Sequence, residues 1–455
     1  MPRRKTLHLI AIISAFALIL AACGSDSTET TDAPDETTAA TEAPTTEAPA
    51  ATEAPAETEP EAMFEPGPLG AVEVGAGEDI QIRSLQAISG DTATLGIPNQ
   101  RGSELAIADF GAIEGRNVNL GTPLDDLCSA DGGQAAAQTI VADEDVVGVI
   151  GTSCSGAATA ASPLISSAGM VMISPSNTSP ALTSDLAGNA NPDYHPGYYR
   201  TAHNDLFQGR AVATYLYEDL GLRNAAAIHD GDPYTNGLAK AFADAFEEFG
   251  GEISVFTAVN KGDTDMVPVL TEVAAGEPEA IFFPIFMPEG GFIVQQVGGV
   301  QGLEDTLLVS ADGTLADNFL VLPESVGVIH SGPDLQFGDN KSALGTSAED
   351  FLADYEAAYG EAPSAPFWAH SYDATVMLLT AIAEVAVVEG DTMYIDRQAV
   401  RDALNNLADF GGITGTLTCD DFGDCGSQRI SIVDHLEGET TAAEVGQNVI
   451  FSYPN

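Results

Sequence analysis

The sequence predicts an α/β fold: two doubly wound parallel-sheet lobes. Three observations predict it. Continuous Val/Ile/Ala runs of strand length alternate with longer helical stretches, the pattern of parallel strands covered by helices on both faces. The alternation stops near 200, where Pro192, Pro196 and Gly197 cluster, and then starts again, giving two units of ordinary domain size. The composition suits such a body: 44% of the 455 residues are hydrophobic, enough for sizeable cores, and 46 are glycine, which serves tight turns.

The first unit opens with a strand over 79–85, where Ile80 and Ile82 alternate with polar neighbours. A helical pattern follows over 103–113, then a strand near 118 and a helix over 135–141. Residues 146–150, VVGVI, read as a strand buried on both faces. An Ala-rich helix over 157–167 and a short strand over 170–173 complete the unit. The second unit repeats the scheme with helices over 207–220, 236–249, 266–274 and 291–300, and strands over 225–229, 252–258, 280–284 and 306–310. Ligands of doubly wound sheets sit beyond the carboxyl ends of the strands, so a site is expected there.

Ahead of this body, Arg3, Arg4 and Lys5 precede an apolar run over 7–20, short for a membrane span and flanked like a secretory leader. The run ends in Leu20-Ala21-Ala22-Cys23, small residues before a cysteine, which resembles a bacterial lipoprotein cleavage box. The chemistry implied is thioether attachment of a diacylglycerol to Cys23, cleavage before it, and acylation of the new amino terminus. Two or more acyl chains anchor stably where one does not. Residues 24–66 hold 12 acidic residues and no basic one, and Thr-Glu-Ala-Pro occurs at 41–44, 46–49 and 52–55. With almost nothing apolar to bury, the segment is expected to be a disordered, extended tether.

The chain carries 68 Asp and Glu against 15 Lys and Arg, a formal net charge of −53. Without the leader and tether the body still holds 56 against 12, a net charge of −44. Nucleic acid is excluded as a partner, because phosphate binding needs a basic face. Adhesion to anionic lipid headgroups is disfavoured for the same reason. A densely acidic, solvated surface is expected, with its self-repulsion screened by ions.

Of five cysteines, four remain once Cys23 carries lipid, an even number in an exported chain. Cys419 and Cys425 lie six apart and suit a clipped hairpin. Cys128 and Cys154 each follow a strand end of one expected sheet. Two disulfides are therefore expected. A four-thiolate metal site is disfavoured, since no C-x2-C spacing occurs and only seven histidines are present. The motif GTSCSG at 151–156 invites a nucleophile, but neither Ser153 nor Ser155 stands in G-x-S-x-G, and a disulfide would consume Cys154. No H-E-x-x-H, phosphate-binding loop or G-x-G-x-x-G after a strand occurs. His229, at a strand end before Asp230, reads as structural. The expectation is a protein without enzymatic activity, cofactor or resident metal.

From about Ile80 onward the sequence resembles the branched-chain amino acid type of extracellular solute-binding protein. This is a type I periplasmic binding protein family that feeds ABC importers and shares its fold with amide and urea receptors. The segments that carry the resemblance are ISGDTATLG (88–96), VVGVIGTSCSGAATAASPL (146–164), VMISPSNTSPALT (171–183), HDGDPYTNGLAKAF (229–242), ADG (311–313) and FWAHSYDATVMLLTAIAE (367–384). The resemblance implies ligand-binding roles for seven residues. Ser155, where a helix begins, matches a position that binds the ligand carboxylate. Thr178 matches a threonine that contacts carboxylate and ammonium, and the carbonyl of Ser176 one that accepts from the ammonium. Asp312 stands where the family usually has Glu, which keeps the counter-charge and shortens its reach. Tyr234 matches a ligand-proximal tyrosine of the second lobe, Phe286 a position that tends to be Tyr, and Leu95 one that is often aromatic. Read without the resemblance, Ser155 and Thr178 are ordinary helix caps, and Asp312 the N-cap of its helix.

The resemblance also implies a Venus-flytrap of two lobes joined by a three-stranded hinge, which closes around a ligand that touches both. The expected segments are a lipoprotein signal peptide over 1–22, a tether over 23–77, lobe one over 78–200 plus 332–428, and lobe two over 201–331 plus 429–455. The expected protein is a monomer, lipid-anchored to the outer face of the bacterial cell membrane. It delivers an aliphatic or branched-chain amino acid to an ABC permease. The alternative is an amide- or urea-type or other small-molecule receptor that senses and does not transport.

Overall fold

A computed structural model describes residues 63–454. The leader, Cys23 and the Thr-Glu-Ala-Pro repeats lie outside the described residues. Two main sheets organise the rest. In the first, the strands run in the order Val118–Asn119, Ile80–Gln86, Val146–Gly151, Val171–Ser174, Tyr198–Arg200, all parallel, with Leu124–Asp125 pairing farther along Ile80–Gln86. The second has seven strands in the order Val449–Tyr453, Ile430–Asp434, Ile329–Pro333, Leu307–Ala311, Ala280–Phe282, Asn224–His229, Glu252–Ala258. Its first two strands join antiparallel and the others parallel.

Both faces of each sheet are covered, which explains the unbroken apolar runs. Val147 and Ile150 pack on one side of the first sheet with Met377, Leu378 and Ile382 of the helix Trp368–Val385. Val146 and Val149 pack on the other with Ala137, Ile140, Ala158 and Ile165. Each fully buried side chain of this size contributes about 1.5–3 kcal/mol. In the second sheet Phe282 and Phe283 point to opposite faces and both are buried in core.

Several elements differ from expectation. The helix expected over 103–113 spans Ala93–Phe110. Its early turns hold Gly96 and Pro98, which read as breakers in a sequence. Gly96 is required by packing, because a Cβ there would lie 2.0 Å from the carbonyl of Ala87. Pro98 cannot donate to the carbonyl of Thr94, and the hydroxyl of Ser364 donates to it instead, at 2.8 Å. The helix expected over 207–220 is α-helical over Asp205–Thr214 and widens to a π-turn over Tyr215–Asp219. The tether expected to reach 77 is corrected at its end: Ala71–Val74 is a strand, paired antiparallel with Thr392–Asp396. Its Val72 and Val74 are buried, the apolar pair that a purely compositional reading of a tail passes over.

Both disulfides are present, Cys128–Cys154 and Cys419–Cys425, with Cα separations of 5.1 and 3.8 Å. The His229 ring accepts from the N–H of Gly231 at 3.0 Å and packs on Phe256.

Candidate functional site

A cavity lies between the two lobes. Leu95, Ser153, Ser155, Ser176 and Phe367 line it from the first, and Tyr234, Phe286, Asp312 and Gly313 from the second. Six of the seven residues expected at a binding site are among these nine.

The first wall is built on the loop after Val146–Gly151. Buried Asp126 accepts the N–H groups of Ser153 and Cys128, both at 2.7 Å. Burial pushes its carboxyl up to about 7, against the pull of these donors. The Cys128–Cys154 bridge ties the same two loops. Ser153 donates its hydroxyl to Gln86 Oε1 at 2.7 Å. Ser155 is the first residue of the helix Ser155–Ser167, at the positive end of its dipole. Its hydroxyl accepts the N–H of Ser179 at 3.3 Å. Ser176 donates to the carbonyl of Ser153 at 3.0 Å and accepts from Asn99 at 3.1 Å. Three hydroxyls and a helix terminus therefore meet on one wall.

Thr178 is fully buried and is not among the nine lining residues. Its carbonyl accepts the N–H of Asp205 at 2.9 Å. None of the three alternative cap assignments describes the molecule. Cys154, Ser179 and Ala311 occupy the N-cap positions of the helix Ser155–Ser167 and of the turns Pro180–Leu182 and Asp312–Thr314.

The second wall is acidic and aromatic. Asp312 follows the strand Leu307–Ala311 and is buried, and its Oδ1 accepts from Gln208 Nε2 at 2.8 Å. Burial raises its carboxyl to about 6, with the Gln208 and Tyr234 donors opposing. The Tyr234 hydroxyl accepts the N–H of Gly313 at 3.2 Å. Its ring lies 4.9 Å from that of Phe286. Asp205, fully buried nearby, is held well above the ordinary range by burial and by Asp312. The walls offer hydroxyls and a helix N-terminus to an anionic group on one side and Asp312 to a cationic group on the other, with apolar surface from Leu95, Phe286 and Phe367. Ser153, Gly313 and Phe367 were missed. Ser153 and Gly313 stood inside the quoted GTSCSG and ADG motifs, two residues and one residue from expected site positions. Phe367 opens the last quoted segment.

The lobes also touch around the cavity. Asn318 donates to the carbonyl of Asp91 at 2.7 Å, and Ser179 to that of Pro233 at 3.1 Å. Lys261 reaches the carbonyl of Cys128 at 3.4 Å. Among the described residues no helix is long and apolar enough to cross a membrane.

Comparison with known proteins agrees with this architecture. Residues 79–427 match the family model described as periplasmic binding protein. The leucine-specific-binding protein of Salmonella typhimurium is 27% identical over 392 residues, 82% of this chain and 96% of that one. The leucine binding protein LivK of Thermotoga maritima superposes with a TM-score of 0.67 at 24% identity, over 79% of this chain and 96% of its own. The branched-chain amino acid transporter substrate-binding protein LivJ of Streptococcus pneumoniae, solved with isoleucine, gives 0.65 at 24% identity, over 82% and 99%. With the family model covering most of the body and the two-lobed fold around an interlobe cavity, the chain belongs to the periplasmic binding proteins of type I, solute-binding proteins related to those for branched-chain amino acids.

Proposed function

We propose that this protein captures an aliphatic amino acid outside the cytoplasm and delivers it to an ABC importer by closing its lobes around the zwitterion. One observation carries the reading: the cavity pairs a serine-lined helix terminus with a buried carboxylate across the interlobe gap. An α-carboxylate is satisfied by hydroxyls and the helix N-terminus, and an α-ammonium by Asp312. In this reading Ser155 binds the carboxylate end, and Asp312 and the carbonyl of Ser176 the ammonium. Tyr234, Phe286 and Leu95 enclose the side chain. The lipid on Cys23 and the acidic tether hold the body, a monomer, at the outer face of the cell membrane within reach of the permease.

A thermal-shift panel of amino acids, urea, short amides and small carboxylates tests this. A micromolar ligand at millimolar concentration adds about 4 kcal/mol to stability. Shifts confined to aliphatic amino acids support the reading. A second reading rests on the raised Asp312 carboxyl: in its neutral form it donates a hydrogen bond and suits an amide carbonyl. Shifts with amides or urea alone would favour that receptor.

A further inference from the structure

A buried charge pair reaches both walls of the cavity. Arg200 ends the strand Tyr198–Arg200 and is fully buried. Its Nε pairs with Asp424 Oδ1. Its Nη1 donates to the carbonyls of Asn177 and Ser179, at 3.2 and 2.8 Å, and its Nη2 to Thr183 Oγ1 at 2.8 Å. The two carbonyls flank Thr178, in the irregular loop that also carries Ser176. Buried irregular backbone needs such donors, and the planar guanidinium supplies several in fixed directions.

Asp424 reaches the other wall. Its Oδ2 accepts from Asn204 Nδ2 at 3.2 Å, and Asn204 caps the helix Asp205–Thr214. That helix presents Gln208, which donates to Asp312 and, at 3.1 and 3.0 Å, to the carbonyl and hydroxyl of Ser331. Asp424 is itself fixed by a small loop. Its N–H donates to Asp420 Oδ1 at 2.9 Å, its carbonyl accepts the N–H of Asp420 at 3.0 Å, and Cys419–Cys425 closes the loop around both. The backbone of Arg200 pairs with the same loop, accepting from Cys425 and donating to Gly423.

We propose that Arg200 and Asp424 are positioning residues for ligand binding, locked by the Cys419–Cys425 disulfide so that the Ser176–Thr178 loop and the Gln208–Asp312 contact are set together. The inference rests on the proposed ligand site. Its geometric half is testable without a ligand.

Two variants serve, Asp424→Asn and the double variant Cys419→Ser/Cys425→Ser, since removing a buried charge partner can prevent folding. Hydrogen exchange of the unliganded protein reads the loop directly. Amides over 175–184 should exchange at least about tenfold faster in a folded variant, while those of the strand Asn224–His229 stay unchanged. Exchange over 175–184 within about twofold of the parent protein overturns the proposal, whatever the ligand proves to be. Calorimetry with leucine, well below each melting temperature, reads the functional half. If the parent binds leucine, the variants should bind at least about tenfold more weakly. Faster loop exchange with unchanged affinity also overturns the proposal. A parent protein that ignores leucine counts against leucine as the ligand alone, and exchange still decides the positioning role.

Discussion

Gly156 and Asp232 meet across the cleft: a Cβ on Gly156 would lie 2.4 Å from Asp232 Oδ2. Asp232 caps the helix Pro233–Glu248 by accepting the N–H of Tyr234 at 3.0 Å, and pairs with Lys261 at 2.9 Å. Its carboxylate also faces the first turn of the helix Ser155–Ser167, where the dipole favours negative charge. The lobes therefore close on the same helix end that supplies the serine wall.

Gly156→Ala places a methyl group in that contact. Overpacking of this kind costs about 1–3 kcal/mol, and here the cost falls on the closed arrangement only. Leucine affinity should fall about tenfold or more while far-UV circular dichroism stays that of the parent. An unchanged Kd would show that Gly156 and Asp232 do not approach in the liganded form.

Asp312 makes binding depend on pH. Burial favours the neutral form and raises its carboxyl from an ordinary 3.8 to about 6. The protonated group therefore favours the fold at low pH, and that contribution, about 3 kcal/mol, is lost as pH rises from about 4 to about 6. An ammonium ligand needs the anion, so affinity should weaken about tenfold per pH unit below 6 and level off above it. Calorimetry between pH 5 and pH 7.5 checks this. Asp312→Asn should abolish the dependence and weaken binding by about 2 kcal/mol or more. A flat pH profile in the parent would remove Asp312 from the ammonium site.

These residues show what the sequence could and could not disclose. Strands such as Val146–Gly151 were legible because burial on both faces leaves an unbroken apolar run. The helix from Ala93 was not, because its Gly96 and Pro98 are explained by distant partners, Ala87 and Ser364. Six of the cavity residues were found through motif resemblance. Asp126, Gln208 and Arg200 were not, since each acts by holding backbone or another side chain, and a lone buried Asp, Gln or Arg has no local pattern. The three cap readings failed for a related reason: propensity names residues able to cap, and the actual caps lay one residue away.

The bridge Cys128–Cys154 encloses a sequence separation of 26. Loop entropy gives it about 3–4 kcal/mol through the unfolded chain. It also joins the loops organised by Asp126, so Cys128→Ser/Cys154→Ser should lower stability by at least that amount in urea titration. Leucine affinity should drop as well, because Ser153 and Ser155 flank Cys154. A variant with the parent's denaturation midpoint would mean that Asp126 and its backbone donors fix the loops alone.

Charge sets the last expectation. The body carries a net charge of −44, and in the structure seven of its 12 basic residues already sit in ion pairs, such as Arg83–Asp143 and Arg101–Glu361. Among the described residues, most carboxylates have no ion-pair partner. Their mutual repulsion is screened over about 3 Å in 1 M salt but over about 10 Å at 0.1 M. Repulsion acts more strongly on the compact state than on the expanded one, so removing salt destabilises the fold. The melting temperature of the body should fall by several degrees between about 2 M and about 20 mM NaCl. Sucrose at equal osmolality separates screening from solvent exclusion, since it strengthens burial without screening charge. If sucrose restores the melting temperature as fully as NaCl, the acidic surface is not what limits stability at low salt.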